Sequence, residues 1–363
     1  MGYKITVERA VQSRISEVDF NNLPFGTVFS DHMFIAEYAN GKWSNCRIQP
    51  FGNISIHPAL SALHYGQAIF EGIKAEKDAD GNPIVFRPHK NAERFNISAE
   101  RMAMPEVPEE LFMSALDQLL TIDKDWIPNA PDSSLYIRPF MFAAEELVGI
   151  KPAEHFIFCV FTSPVGKYYN QPVKVYIHDK YVRAFPGGTG FAKCAGNYAA
   201  TMMPVREIRK LGYDQILWLD GIHHRYLQEI GTMNIFVVID GIIITPSLSE
   251  GTILNGITRD SIITLAQDEG YVLQERDISI EEVIDAYQDG KLEDMFGTGT
   301  AAVLSHIGEF NYKGEVYELP PVEGRDVSNK LRDRLTTIKS GKAEDMYNWL
   351  YHVPVDVYEA QMQ

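Results

Sequence analysis

Along the whole chain, short apolar runs bounded by turn formers alternate with stretches whose apolar residues recur at helical spacing. That alternation reads as an α/β or α+β fold, because a strand repeats its burial every two residues and a helix every 3.6. No block of sequence repeats and no tract is of low complexity. No apolar stretch approaches the ~20 residues that span a bilayer. With 363 residues, 45% of them hydrophobic, the chain can build one large or two ordinary cores.

Particular elements follow from the same periods. Pro83 to Arg87 reads as a strand entered from the turn Asp80-Gly81-Asn82. A helix over His89–Met102 carries Arg94, and a second over Glu109–Trp126 has Leu111, Phe112, Ala115, Leu119 and Ile122 at helical spacing. Strands are expected at Ser134–Phe142, His155–Thr162, Val173–Phe185 and Gln215–Leu219, and a helix at Tyr198–Leu211. Asp240-Gly241 between two apolar runs predicts a tight hairpin, and Ser279-Ile280-Glu281-Glu282 a capping box opening a helix. A last helix is expected over Val327–Lys339. Turn formers at Ser163–Pro172 suggest a linker. The expected division is an N-terminal domain over 1–166, a linker over 167–177 and a C-terminal domain over 178–363.

A net charge of −16 argues against nucleic acid and anionic membranes as partners. Three scattered cysteines, Cys46, Cys159 and Cys194, make neither a disulfide framework nor a zinc ribbon. No apolar leader follows Met1, so a cytoplasmic location is expected. The adjacent His223 and His224 cannot share a helix face and no H-E-x-x-H occurs, so no metal is expected.

The chemistry concentrates around Gly187-Gly188-Thr189-Gly190-Phe191-Ala192-Lys193-Cys194-Ala195-Gly196-Asn197-Tyr198. A lysine among small and apolar residues can be desolvated, and only its free amine attacks an aldehyde. Alone, the stretch reads more readily as a surface lysine in a glycine loop. Further on, Glu229 lies in an apolar, β-branched setting where an unpaired carboxylate is costly; a pyridine cofactor needs such an acid beside its ring nitrogen. Gly256-Ile257-Thr258-Arg259 precedes an amphipathic helix whose N–H groups suit an anion. Gly297-Thr298-Gly299-Thr300-Ala301 offers hydroxyls and amides in a turn, and Arg94 a permanent charge suited to phosphate.

Taken in order, these blocks resemble the branched-chain aminotransferases, a family of the fold-type IV pyridoxal-phosphate enzymes. The resemblance runs from about Phe25 to Ile338 and includes Phe25–Met33, Leu63-His64-Tyr65, Phe70-Glu71-Gly72 and Leu135-Tyr136-Ile137-Arg138-Pro139. It implies a two-domain fold with a smaller N-terminal α/β domain and a larger C-terminal domain built on a barrel-like sheet with flanking helices. It implies pyridoxal 5′-phosphate as cofactor, Lys193 as the Schiff-base lysine and proton carrier, Tyr198 on the ring hydroxyl and Glu229 on the ring nitrogen. Arg94, the amides of Ile257 and Thr258, and Thr300 are implied for the phosphate, and the amides of Thr300 and Ala301 for the substrate carboxylate. Tyr65, Phe70, Tyr136, Tyr168, Thr232 and Met233, with Phe25 or Phe29, are implied as walls of the side-chain pocket. Arg138 is implied to receive the distal carboxylate of glutamate. The substrates so implied are leucine, isoleucine and valine with 2-oxoglutarate, and the assembly a homodimer. The redox C-x-x-C of some animal members is replaced by Ala302 and Ser305.

The same fold and cofactor would also serve a D-amino-acid aminotransferase or an aminodeoxychorismate lyase. Those relatives are usually shorter, and the Tyr136-Ile137-Arg138 block is not recognised in them. A nucleotide-dependent oxidoreductase is rejected: Gly297–Ala302 fits G-x-G-x-x-[GA] formally but leads into a hairpin, not a long helix.

Overall fold

The computed structural model describes residues 3–361 except Asn170. The chain divides into two units, one of Met1–Tyr168, Ala192–Gly196 and Ile338–Gln363, the other of Tyr169–Phe191 and Asn197–Thr337.

The first unit begins with β1 (Thr6–Val7), β2 (His32–Ala39), β3 (Lys42–Pro50), α1 (Ser61–Tyr65), β4 (Ala68–Phe70), β5 (Ile73–Lys77) and β6 (Pro83–Phe86). The helices α2 (Pro88–Arg101) and α3 (Glu109–Ile122) follow, then the long strands β7 (Ser134–Ala143) and β8 (Phe156–Val165). Its sheet runs β1-β3-β2-β8-β7-β5-β6, with β4 beside β7. β7 and β8 pair antiparallel from Ser134 opposite Val165 to Ala143 opposite Phe156. The apolar stripe expected on α3 faces this sheet: Leu111, Phe112, Ala115 and Leu119 are at most 1% exposed, and Phe112 stacks on Phe158.

α3 stops at Ile122 rather than running on to Trp126. Asp123 leaves helical geometry, and its carboxylate accepts the backbone N–H of His32 and pairs with His32 Nδ1 at 2.6 Å. Lys124–Trp126 then forms a separate 3-10 turn. A tertiary bond decides where this helix ends, and its sequence period does not show it.

The second unit holds β9 (Val173–Ile177), α4 (Ala195–Ala199, which begins in the first unit), α5 (Met202–Lys210), β10 (Gln215–Leu219), β11 (Leu227–Ile230), β12 (Met233–Ile239) and β13 (Ile242–Thr245). After α6 (Ile257–Asp268) come β14 (Leu273–Glu275), α7 (Ile280–Gln288), β15 (Leu292–Gly299), β16 (Val303–Tyr312), β17 (Glu315–Glu318) and α8 (Asp326–Lys339). Six strands close on themselves in the order β11-β10-β9-β16-β15-β12 and back to β11. Closure removes the sheet edges. Val175, Leu217, Ile230, Ile235, Val237, Met295 and Phe310 fill this core and are fully buried.

The expected hairpin forms between β12 and β13, with Asp240 at φ 51 and Gly241 at φ 73, the paired positive values of a type I′ turn. Ser279 Oγ accepts the Glu282 N–H at 3.1 Å as a capping box requires, but the Glu282 carboxylate pairs with Arg276 instead of returning to the cap. The strand expected over Val173–Phe185 ends at Ile177, where His178 Nδ1 accepts the Lys180 N–H and turns the chain. The single helix expected over Tyr198–Leu211 is two, parted where Thr201 bonds back to the Tyr198 carbonyl through both its N–H and its hydroxyl.

The contiguous division expected from the sequence departs from these units in two segments. Ala192–Gly196 belongs to the first unit, because the Phe70 N–H donates to the Lys193 carbonyl and Cys194 bridges to Ile69. Ile338–Gln363 also returns there, so the first unit is the longer one. In that segment β18 (Leu350–His352) adds antiparallel to β6, and α9 (Val355–Gln361) follows. Val173–Ile177, which lies wholly inside the expected linker 167–177, is a strand of the closed ring, and Ser163–Val165 is the end of β8.

Asp117 on α3 anchors the returning segment: its Oδ2 accepts hydroxyls from Tyr351 at 3.0 Å and Tyr358 at 3.4 Å. Burial pushes this carboxyl from 3.8 up to about 6, against the two phenol bonds. An acid with a raised folded pKa favours the fold while protonated. Stability from this group therefore falls as pH rises from about 4 to 6, and the full cost persists above. Asp117→Asn is expected to flatten that slope and to raise stability at pH 8 by about 1–2 kcal/mol, with little change at pH 4. Urea unfolding at the two pH values checks it.

Candidate active site

In the first unit, β-strand alternation sets the site residues on one face. Leu135 and Ile137 of β7 are fully buried in the core, while Tyr136 and Arg138 point the other way. Arg138 Nη2 donates to the Tyr136 hydroxyl at 3.0 Å, and its guanidinium lies 4.6 Å from the Phe70 ring centre. Arg138 Nε is buried with no hydrogen-bond partner among the described residues. Lys193 comes to the same ring, its Nζ 5.0 Å from the Phe70 centre. The lysine's backbone is fixed on both sides, its N–H by Ser98 Oγ at 2.9 Å and its carbonyl by Phe70 N at 3.1 Å. Phe25 meets Tyr136 and Tyr168 edge-on, each at 5.0 Å.

Phe29 stands elsewhere, stacked on Phe51 and edge-on to Phe161. Of the two phenylalanines left open by the sequence, Phe25 joins the Tyr136 group. Tyr65 lies exposed at the end of α1 with its ring beside His64.

Arg94 on α2 is not a solvated helix arginine. Its Nε and Nη2 meet the two oxygens of Glu71 at 2.7 and 2.8 Å, with Arg94 7% and Glu71 0% exposed. Asn91 Nδ2 adds a third donor at 2.8 Å. Burial alone pushes the Glu71 carboxyl up, but the Arg94 charge and hydrogen bonds, with Lys193 and Asn91, outweigh it and hold the acid below the usual carboxylate range. Glu71 is thus a buried anion paired with Arg94.

The second unit places Glu229 and Tyr198 on one pocket, lined also by Arg183, Asn197, Thr201, Gly231, Thr232, Asn234 and Leu254. Glu229 is 3% exposed. Its Oε2 receives Arg183 Nε at 2.7 Å and its Oε1 the Leu254 N–H at 2.7 Å. Arg183 also donates to the carbonyls of Thr252 at 2.7 Å and Gly190 at 3.0 Å. Asn197, beside Tyr198, exchanges hydrogen bonds with Thr189 in the glycine loop. The loop that leads to Lys193 is thus pinned to the floor of the cavity.

Ile257 and Thr258 open α6, whose N-cap is Gly256 with no side-chain cap. A Cβ at Gly256 would stand 2.0 Å from Asn234 Oδ1, so only glycine fits there. Thr300 and Ala301 form the turn between β15 and β16, and Val303, at the start of β16, takes φ 57. That left-handed value is strained for a β-branched side chain, and such strain gathers at functional turns. Met233 is buried in the barrel core against Gly297.

Sequence reasoning missed Arg183 and the roles of Glu71, Asn234 and Thr298 in this arrangement. Nothing local marks Arg183, whose three partners lie in segments far apart in the chain. Glu71 carried a signal, as an acid between Phe70 and Gly72 in a buried strand context.

The three cysteines are buried and unpaired, and among the described residues no group of His, Cys, Asp and Glu could hold a metal ion. Glu71→Ala leaves Arg94 buried without its counter-ion and is expected to cost about 3–5 kcal/mol in urea unfolding. Glu71→Ala combined with Arg94→Ala should be less destabilised than the sum of the two single changes.

The chain matches the family described as amino-transferase class IV over residues 68–309. A probable branched-chain-amino-acid aminotransferase of Staphylococcus epidermidis is 45% identical to it over 359 residues, covering 98% of this chain and 99% of the relative. The branched-chain-amino-acid transaminase 1 of Bacillus subtilis is 46% identical over 340 residues, covering 92% and 95%. Among solved structures, the branched-chain amino acid aminotransferase of Escherichia coli superposes with a TM-score of 0.71 at 27% identity, covering 89% of this chain and 99% of that one. A T.th. branched-chain amino acid aminotransferase complexed with N-(5′-phosphopyridoxyl)-L-glutamate gives 0.70 at 27%, covering 88% and 98%. The chain belongs to the class IV amino-transferases, among the branched-chain-amino-acid aminotransferases.

Proposed function

We propose that this protein transfers the amino group reversibly between L-leucine, L-isoleucine or L-valine and 2-oxoglutarate, with pyridoxal 5′-phosphate as cofactor. The observation that carries the reading is the Glu229 pocket: a buried carboxylate, ion-paired with Arg183 at 2.7 Å, shares it with the phenol of Tyr198. That donor set fits the cofactor, since a protonated ring nitrogen needs an anion and a ring hydroxyl needs a phenol or amide. Thr298 also fits: it is 1% exposed, pairs across the strands with Asn234, and its hydroxyl has no partner among the described residues.

When bound, pyridoxal phosphate supplies an electron sink for the charge left as a bond at the substrate's α-carbon breaks. The chain's own groups do the rest. Lys193 Nζ takes the proton from the α-carbon and carries it, as a positioned general base. Glu229 keeps negative charge at the ring nitrogen, and Tyr198 bonds the ring hydroxyl. The amides of Ile257 and Thr258, with Thr300, would hold the phosphate, for which the resemblance also implies Arg94; the amides of Thr300 and Ala301 would hold the substrate carboxylate.

Phe25, Phe70, Tyr136 and Tyr168 of the first unit would take a branched aliphatic by burying its apolar surface, a role the resemblance also implies for Thr232 and Met233. Arg138, with its buried Nε, receives the second carboxylate when glutamate is the donor.

The assembly proposed is a homodimer. Exposed apolar side chains of the first unit support it, among them Leu63 and Tyr65 at 60% and 41% exposure and Val148 and Ile150 at 68% and 93%. Three unpaired, buried cysteines support a reducing, cytoplasmic location. Among the described residues no helix is long and apolar enough to cross a membrane.

The test is amino transfer from L-leucine to 2-oxoglutarate by the wild type and by Lys193→Ala. The wild type is expected to produce glutamate, and the variant to fold normally and lose at least ~10³-fold in rate. A variant that keeps most of its rate would remove Lys193 from the chemistry. A wild type that turns over D-alanine and ignores L-leucine would overturn the substrate class.

A further inference from the structure

Glu229 and Asn234 stand opposite each other as a cross-strand pair on β11 and β12. Both reach the same residue. The Leu254 N–H donates to Glu229 Oε1 at 2.7 Å, and the Leu254 carbonyl accepts from Asn234 Nδ2 at 2.9 Å. All three residues are buried. Two residues on, Gly256 caps α6 so close to Asn234 that a Cβ there would meet Oδ1 at 2.0 Å. One amide thus grips Leu254 by its nitrogen and packs against Gly256 by its oxygen.

The grip matters because no side chain caps α6. The first N–H groups of a helix bind an anion only where the entering backbone aims them, and here the entering backbone is the turn from Leu254 to Gly256. Holding both backbone polar groups of Leu254 removes the rotation that would swing that turn. Asn234 faces Glu229 on one side and Thr298 on the other, in a single row across β11, β12 and β15.

We propose that Asn234 is a positioning residue: it locks the Leu254–Gly256 turn so that the amides of Ile257 and Thr258 keep a fixed spacing from Glu229. The inference rests on the cofactor reading above. It assigns to one side chain the distance between the acid that serves a ring nitrogen and the amides that serve a phosphate. A ligand carrying both groups then meets a preorganised pair, while inorganic phosphate, which meets only the amides, gains less from the lock.

The experiment is equilibrium binding of pyridoxal phosphate to the stripped full-length protein, with the 31P spectrum of the loaded protein. It compares the wild type, Asn234→Ala and Gly256→Ala. Asn234→Ala removes the grip, and Gly256→Ala attacks it from the opposite side by displacing the Asn234 oxygen. Both are expected to weaken binding by about tenfold or more and to move the phosphate resonance. The double variant should bind within ~3-fold of the weaker single, because the two changes break one device.

Variants that bind as tightly as the wild type with an unmoved resonance, losing only thermal stability, would overturn the proposal and leave the cofactor reading intact. A wild type that takes up no pyridoxal phosphate would overturn the cofactor reading itself.

Discussion

The carboxylate of Glu229 cannot remain charged at 3% exposure unless its oxygens are answered, and the second unit is arranged to answer them. Arg183 meets one oxygen and the Leu254 amide the other. The same guanidinium takes the carbonyls of Gly190 and Thr252, so the glycine loop and the turn before α6 are tied to the acid they surround. Truncating such an arginine would strand a buried anion and free two loops at once. Asn234 extends the network by one residue, to the N-terminus of α6.

The first unit uses the same device with the charges reversed in role. There the arginine is the group proposed for the phosphate, and Glu71 is the buried partner that fixes it bidentately. A lone arginine on a helix samples many rotamers. One held at two nitrogens by a fully buried carboxylate presents a set direction, which suits a phosphate better than flexibility does. Lys193 is treated alike: its backbone is bonded on both sides, while its amine lies by the Phe70 ring, near enough to lower the Glu71 carboxyl.

Much of this was legible in the residues. The hairpin at Asp240-Gly241, the cap at Ser279 and the strands β7, β10 and β12 follow from local chemistry, and local chemistry was read correctly. Lys193, Glu229, Tyr198 and Arg94 stand out as candidates only once several blocks are read together in order, since each alone reads no less well as an ordinary residue. What stayed hidden depends on partners remote in sequence. Nothing around Asp123 says that His32 will end α3 there, and nothing around Arg183 says that it will hold Glu229. The return of the C-terminal segment to β6 is likewise a pairing between strands far apart in the chain, which no local period encodes.

The most direct measurement of the central claim is the 15N chemical shift of the ring nitrogen of labelled pyridoxal phosphate bound to the protein, followed from pH 6 to pH 9. A carboxylate ion-paired with Arg183 beside the ring nitrogen would keep that nitrogen protonated throughout, so the shift should stay at the pyridinium value, and Glu229→Gln should move it to the neutral one. A wild-type nitrogen that titrates in this range, or sits at the neutral value, would contradict the account.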